Sequence, residues 1–183
     1  MNKLNNNKGT TLVEMLCAVI ILLLVSSGLA AGVSLANKYY IKTVRYSEAA
    51  ELSSTISNLL TNELKYTNRV CLNDDGTVST IYSTTYGLED EFPSIVIVDD
   101  DGNVLTNEYG QVAFKSSTKL NRMLSVANYN NDLGAKLSIT YNKDGNYFTV
   151  VLDVGTNDLG TLVTNNFDVR CLNIKKGETT CTD

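Results

Sequence analysis

Hydrophobic and polar residues change their spacing twice along the chain. From Met15 to Ala36 there is no charged residue, Ile20–Val25 is an unbroken aliphatic run, and Gly28 and Gly32 lie four residues apart. At about 1.5 Å per helical residue this stretch is roughly 33 Å long, enough to cross the hydrocarbon core of a bilayer. The pattern predicts a membrane-spanning helix over residues 10–37.

A second pattern follows directly. Between Lys38 and Tyr66, apolar residues recur every three to four positions, and no Gly or Pro interrupts the run from Val33 to Arg69. We therefore expect the helix to continue into water as an amphipathic helix over residues 38–69, with its apolar stripe on a sheet. The apolar positions of this stripe are Ile41, Val44, Leu52, Ile56, Leu59, Leu60 and Leu64.

After Arg69 the spacing is typical of strands, so residues 70–183 are predicted to form a β-rich body. Asp101-Gly102 and Asp144-Gly145 predict hairpin turns, because these residue types tolerate the positive φ of a tight turn. Residues 121–132 are left open between a short helix and a loop. The predicted strands are Thr77–Thr85, Ser94–Val98, Val104–Thr106, Gln111–Lys115, Lys136–Asn142, Tyr147–Val154 and Phe167–Asn173. The fold class is α+β, a long amino-terminal helix packed on an antiparallel sheet.

The residues before the apolar helix form a more specific pattern. Lys3 and Lys8 are basic, Gly9 follows them, and Glu14 stands five positions later at the start of the apolar stretch. A short basic leader ending in Gly, four residues, Glu and a long apolar helix resembles the amino-terminal signature of type IV prepilins and of the secretion and competence pseudopilins. The resemblance covers about the first 37 residues. Thr10 departs from it, because the family usually has Phe or Met at that position.

The resemblance implies a pilin-like fold and a structural rather than an enzymatic role. Residues 1–9 would be a leader that a prepilin peptidase removes between Gly9 and Thr10, and the new amino group of Thr10 would then be methylated. Glu14 would pair with the Thr10 amino group of a neighbouring subunit and align the two during assembly. The implied function is that of a subunit of a type IV pilus, and Thr10 favours a minor one. Such filaments serve cell adhesion and twitching motility.

The implied partners are other pilin subunits, the prepilin peptidase, an assembly ATPase and a platform protein of the cytoplasmic membrane. The basic flank before the helix predicts a cytoplasmic amino terminus, so the body would lie outside before and after its transfer into an extracellular filament. Two alternatives stay open. One is a competence or type II secretion pseudopilin. The other is a monomeric membrane-anchored binding domain, which leaves the spacing of Gly9 and Glu14 unexplained.

Charge and composition narrow the chemistry. The net charge of −5 would become −7 without the two leader lysines, and an acidic body disfavours nonspecific nucleic-acid binding. The chain has no His, so a Ser–His or Cys–His couple cannot form, and no catalytic residue, cofactor or metal is expected. Asp99, Asp101 and Asn103 have the opening spacing of a calcium loop without its Gly and closing Glu. A competence pseudopilin whose filament contacts DNA is the DNA alternative. It would need a basic face, which only folding could assemble from Lys115, Lys119, Arg122, Lys136, Lys175 and Lys176.

Four cysteines complete the set of candidate residues. Cys17 lies in the apolar stretch, and Cys71, Cys171 and Cys181 belong to the predicted body, where at most one internal bridge can form. A Cys171–Cys181 bridge would resemble the disulfide-bounded loop near the end of many pilins. A Cys71–Cys171 bridge is the competing assignment.

Overall fold

The structure is a computed structural model that describes residues 11–73, 77–83, 94–116 and 119–174. The chain forms two compact units, residues 1–44 and 45–183. One helix, α1 (Leu12–Lys65), contributes its first part to one unit and its second part to the other. The long helix predicted from the sequence is therefore confirmed.

In the second unit α1 packs one face into the core. Its buried residues recur at three- and four-residue intervals, and the predicted positions Leu52, Ile56, Leu60 and Leu64 are among them. Ile41 is exposed, so the buried face begins later than the sequence predicts. The buried residues of α1 are Ala49, Leu52, Ser53, Ile56, Ser57, Leu60, Glu63 and Leu64.

The helix ends at Lys65, whereas the sequence predicted helix over residues 38–69. Residues Thr67–Leu72 form a strand, β1, which the sequence analysis missed. The carbonyl of Lys65 accepts a hydrogen bond from the backbone N–H of Leu172, 3.0 Å away, so a distant segment occupies an acceptor at the helix end. No Gly or Pro marks this end in the sequence.

The described strands all pair antiparallel. They lie in three small sheets with the orders β1-β2, β3-β4-β5 and β6-β7-β8. The α+β class is confirmed, and the single predicted sheet is divided into three, which isolated bridges between Thr77 and Thr140 and between Gly110 and Ala135 connect. The remaining strands are β2 (Val78–Ser83), β3 (Ser94–Val98), β4 (Gln111–Lys115), β5 (Leu120–Arg122), β6 (Gly134–Asn142), β7 (Tyr147–Thr156) and β8 (Gly160–Arg170).

The predicted bounds of the individual strands agree with the observed bounds to different degrees. The bounds of β3 and β4 agree with the prediction, and β6 and β7 each extend it by two residues. The predicted strand Val104–Thr106 is reduced to one bridge between Val104 and Val98. The last strand starts at Gly160 and ends at Arg170, so the prediction of Phe167–Asn173 was too late and too short. Residues 121–132 contain the end of β5 and two 3₁₀ turns, Val126–Asn128 and Asn130–Asp132.

Both predicted turns exist. The first follows β3, where Gly102 has φ 90° and donates its N–H to the Asp99 carbonyl. The second joins β6 to β7, but there the positive φ belongs to Asn146, at 56°, and neither Asp144 nor Gly145 has one. The assignment of the left-handed position to the Asp144-Gly145 pair was therefore wrong.

Asn146 also holds residues 171–174, which we call the terminal clasp. The Asn146 carbonyl accepts the N–H of Cys171, and the Asn146 Nδ2 donates to the carbonyls of Cys171 and Ile174. Asn173 Nδ2 donates to the Tyr66 carbonyl just beyond α1. The clasp thus connects the β6–β7 turn with the end of the helix.

Candidate functional site

The first turn of α1 is closed by hydrogen bonds between Thr11 and Glu14. The Thr11 backbone N–H donates to Glu14 Oε2 at 2.8 Å, and the Thr11 hydroxyl contacts the same oxygen at 3.1 Å. In return, the Glu14 N–H donates to Thr11 Oγ1 at 3.3 Å. This reciprocal arrangement is a capping box, which satisfies amide donors that a helix start otherwise leaves unpaired.

The sequence analysis singled out Glu14 and missed Thr11. The signal was present, because a Thr three residues before a Glu at the start of an apolar run is the spacing of a capping box. Gly9 and Thr10, the predicted cleavage and methylation positions, lie outside the described residues. The helix begins at Leu12, two residues after Thr10.

Only one oxygen of the Glu14 carboxylate is occupied. Both contacts from Thr11 reach Oε2, and within the described chain Oε1 has no hydrogen-bond partner. An ionised carboxylate can accept about four hydrogen bonds. The capped Glu14 can therefore still accept bonds from another donor, such as a cationic group.

The surface of α1 in the first unit is apolar and exposed. Every residue from 11 to 43 is exposed, and between Glu14 and Lys38 none is charged. By length and composition, α1 is the one helix of the described chain that could cross a membrane. Such a surface needs lipid or other apolar helices around it, because water would leave a large hydrophobic area unburied.

The polar side chains within this surface bond to their own helix. The hydroxyl of Ser26 donates to the Leu22 carbonyl at 2.7 Å, and that of Ser27 donates to the Leu24 carbonyl at 2.8 Å. Gly28 and Gly32 follow, and a Cβ added at either would have no neighbour within 4 Å. These glycines leave a shallow strip where another helix backbone could approach closely.

The cations of the DNA alternative are partly engaged elsewhere. Arg122 Nη2 donates to the backbone carbonyls of Asp99 and Asp100, at 3.3 and 2.7 Å. The Lys136 ammonium lies 4.2 Å from the centre of the Tyr109 ring. Lys175 and Lys176 lie outside the described residues. Arg122 and Lys136 are thus held beside acidic segments rather than on a basic face.

The segment from Asp99 to Asn103, which has the opening spacing of a calcium loop, forms a hydrogen-bonded turn. Asp99 Oδ1 accepts the Asn103 N–H at 2.7 Å, and Oδ2 accepts the Asn103 Nδ2 at 2.8 Å. These bonds from the Asn103 side chain and backbone hold the pKa of the Asp99 carboxyl below its usual value. In the part of the chain that the structure describes, no three His, Cys, Asp or Glu side chains are grouped to hold a metal ion.

Both predicted disulfides are wrong. Cys171 is a free thiol with 3% of its surface exposed, and Cys71 is disulfide-bonded. Cys171 directly follows β8 and points into the core, where burial raises its pKa to about 12. The thiol is therefore held away from the surface, and neither Cys181 nor Cys71 is bonded to it. Cys181 itself lies outside the described residues.

One comparison with known proteins supports the resemblance seen in the sequence. The model of the prokaryotic N-terminal methylation motif matches residues 4–30. This motif is the signature of type IV pilins and pseudopilins, so the chain carries that signature over residues 4–30, which include the Thr11–Glu14 capping box and the apolar stretch as far as residue 30. No curated protein and no solved structure matches the chain.

Proposed function

We propose that this chain is a subunit, and a minor one, of a type IV pilus or a closely related filament. One observation carries the proposal. The methylation motif of residues 4–30 is in register with the Thr11–Glu14 capping box, from which an exposed apolar helix leads into a folded α+β body. A filament subunit needs these parts in this order.

Processing would create the amino group with which Glu14 would pair. Hydrolysis of the Gly9–Thr10 peptide bond by a prepilin peptidase releases residues 1–9 and leaves an amino group on Thr10. A methyl group on that nitrogen keeps its positive charge. The charge then lies one residue before Thr11, whose N–H already bonds to Glu14.

Assembly would use Glu14 Oε1, which is free to accept a hydrogen bond from a neighbouring subunit. A carboxylate at the edge of an apolar segment is costly without a partner, so the Thr10 ammonium of a neighbouring subunit would stabilise it. The apolar side chains of residues 15–36 would then pack on neighbouring helices, and Gly28 and Gly32 would allow two helices to come close. The exposed apolar surface of one chain becomes the buried core of a filament.

The proposed location of the subunit differs before and after assembly. Before assembly the helix spans the cytoplasmic membrane with its amino terminus inside, because Lys3 and Lys8 lie on that flank. An assembly ATPase acting through a platform protein would then extract the chain, and the body would lie on the outside of the filament.

The decisive experiment compares Glu14→Lys and Glu14→Gln with Glu51→Gln in native cells. Glu51 is an exposed carboxylate on the same helix, outside the apolar segment, and serves as the matched control. Sheared filaments would be analysed by intact mass and amino-terminal sequencing. We expect the wild type and the control to start at N-methylated Thr10 at low abundance. Both Glu14 variants should be absent from the filaments while still present in membranes.

Other results would contradict the proposal. An uncleaved chain that starts at Met1 and stays in the membrane fraction would identify a membrane-anchored binding domain. Filaments containing normal amounts of Glu14→Lys would show that the carboxylate does not pair during assembly. Loss of protein secretion or of DNA uptake on deletion would assign the subunit to a secretion or competence filament instead of a pilus.

A further inference from the structure

An acidic cavity lies at one end of the second unit. It has a volume of about 400 Å³ and includes Asn157, which directly follows β7 at the turn to β8. Within the described chain, the carboxylates of Glu108 and Asp132 have neither a hydrogen bond nor an ion pair. Its acidic lining residues are Asp99, Asp100, Glu108 and Asp132, and its apolar ones include Leu105 and Leu133. Two cations lie beside these four carboxylates, Arg122 on the Asp99 and Asp100 carbonyls and Lys136 on the Tyr109 ring, so negative charge remains in excess there.

A buried polar group in the cavity lining also lacks a partner. Gln111 is 4% exposed, and its Nε2 donates to Asp100 Oδ1 at 2.6 Å. Its Oε1 is buried and accepts no hydrogen bond from any described residue. Arg122 donates through Nη2 to backbone carbonyls and not to this acceptor, and its own buried Nε has no partner among the described residues. A buried acceptor without a donor is costly and favours a ligand that brings N–H groups.

The lining suits a long cationic side chain. Lys and Arg lay an aliphatic stem on apolar surface and keep the charged head among polar groups. Here Leu105 and Leu133 supply apolar surface, and the carboxylates supply acceptors for an ammonium or guanidinium.

The opposite end of the same unit displays such side chains. Strand β7 has ten residues and therefore separates its two turns by roughly 33 Å. Lys143 lies in the β6–β7 turn and Arg170 pairs with Tyr147 at the end of β8. Both are exposed, and within the described residues neither side chain makes a hydrogen bond or an ion pair. We call Lys143 and Arg170 the basic end.

We propose that the acidic cavity of one copy binds the Lys143 or Arg170 side chain of a second copy. The two surfaces lie at opposite ends of the unit, so the contact is head-to-tail, and a head-to-tail contact that does not close into a ring extends into a filament. The inference rests on the proposed function and adds a contact between bodies to the packing of the helices. A subunit of low abundance can still form this head-to-tail contact between a few consecutive copies.

The test uses two differently tagged full-length copies expressed together in native cells and solubilised in mild detergent. The acidic variant carries Glu108→Lys and Asp132→Lys, and the basic variant carries Lys143→Glu and Arg170→Glu. We expect either variant, when present in both copies, to lower the recovery of the second tag about tenfold, because close opposite charges are replaced by like charges. A chain with all four substitutions should restore recovery, since the charges are exchanged.

A matched control carries Asp153→Lys and Asp168→Lys, two strand carboxylates that bond to threonine hydroxyls. It changes the net charge by the same amount as the acidic variant and should leave recovery unchanged. Thermal unfolding of each variant monitors its folding. Unchanged recovery with the acidic variant would overturn the inference, and so would a loss that the four-substitution chain does not restore.

The same variants separate the two proposals. If the charge variants enter sheared filaments as the wild type does, the head-to-tail contact is wrong and the filament function stands. If the wild type itself never leaves the membrane, the filament function is wrong whatever the tagged copies show.

Discussion

The terminal clasp depends on Asn146. Substitutions there separate the contribution of its side-chain hydrogen bonds to stability from that of its left-handed backbone conformation. The side chain makes three hydrogen bonds, accepting one from the Tyr141 hydroxyl at 2.7 Å and donating to the carbonyls of Cys171 and Ile174 at 3.3 and 2.8 Å. Its backbone has φ 56°, a conformation that Asn tolerates and most residues avoid. Asn146→Gly removes the side-chain hydrogen bonds and leaves a residue that adopts this φ freely, whereas Asn146→Ala also puts in the left-handed region a residue that tolerates it less well than Asn.

The expected magnitudes follow from these contacts. At about 1 kcal/mol for each net hydrogen bond, Asn146→Gly should lower the free energy of unfolding by roughly 3 kcal/mol. Asn146→Ala should lower it by about 1–2 kcal/mol more, because of the left-handed backbone. For a protein of this length, the glycine variant should melt roughly 6–12 °C below the wild type.

Thermal unfolding of the full chain in detergent, followed by the near-ultraviolet circular dichroism of its tyrosines, measures these differences. Asn166→Ala is the control, since Asn166 is exposed on β8 and makes no side-chain hydrogen bond to a described residue. It should melt within about 2 °C of the wild type. An alanine variant as stable as the glycine variant would refute the claim that the left-handed backbone disfavours alanine. A glycine variant as stable as the wild type would show that the Asn146 hydrogen bonds to the terminal clasp do not stabilise the fold.

Three further predictions concern the helix and the disulfide. Thr11→Val should weaken the helix start by about 1 kcal/mol and reduce the amount of the subunit in sheared filaments, whereas Thr11→Ser should not; equal amounts of the two variants would contradict the capping role. Leu60→Ala should lower the free energy of unfolding by about 2–5 kcal/mol, because the side chain is fully buried. The half-buried Leu59 provides the control, and Leu59→Ala should cost clearly less in the same melts. Non-reducing peptide mapping should link Cys71 to Cys181, the one cysteine of the four that remains for it. Closing a loop of about 110 residues contributes roughly 4–5 kcal/mol, so reduction should lower the melting temperature; a map with unlinked Cys71 would contradict this.

The parts that the sequence predicted well depend on local patterns. Leu52, Ile56, Leu60 and Leu64 repeat every four residues, so a single helix face could be read directly and is buried. Strand β7 and its neighbour β6 alternate around a turn that contains Asp and Gly, and they pair in register from Asn142–Tyr147 onward. In these regions the structure follows from a pattern of neighbouring residues, either steps of four along a helix or pairs that extend outward from one short turn.

The parts that the sequence missed depend on distant contacts. The end of α1 lacks Gly and Pro, and its Lys65 carbonyl bonds to Leu172, which is far along the chain. Cys171 could be judged free only once the register of β8 was known, because the register directs its side chain into the core. Spacing between cysteines carries no information about that register, so the pairing taken from the resemblance failed.

Under the proposed function, the Glu14 carboxylate would serve both the single chain and the assembly. A Glu beside an apolar segment needs hydrogen-bond donors while the subunit is alone in the membrane, and Thr11 supplies them to Oε2. If Glu14 depended wholly on another subunit, the unassembled chain would carry an unpaired charge. If Thr11 occupied both oxygens, a neighbour's ammonium would have to displace it. In the proposed assembly, with one oxygen capped and one open, the helix start would be stable in the single chain, and the Thr10 ammonium of a neighbouring subunit would add its bond without breaking those already made.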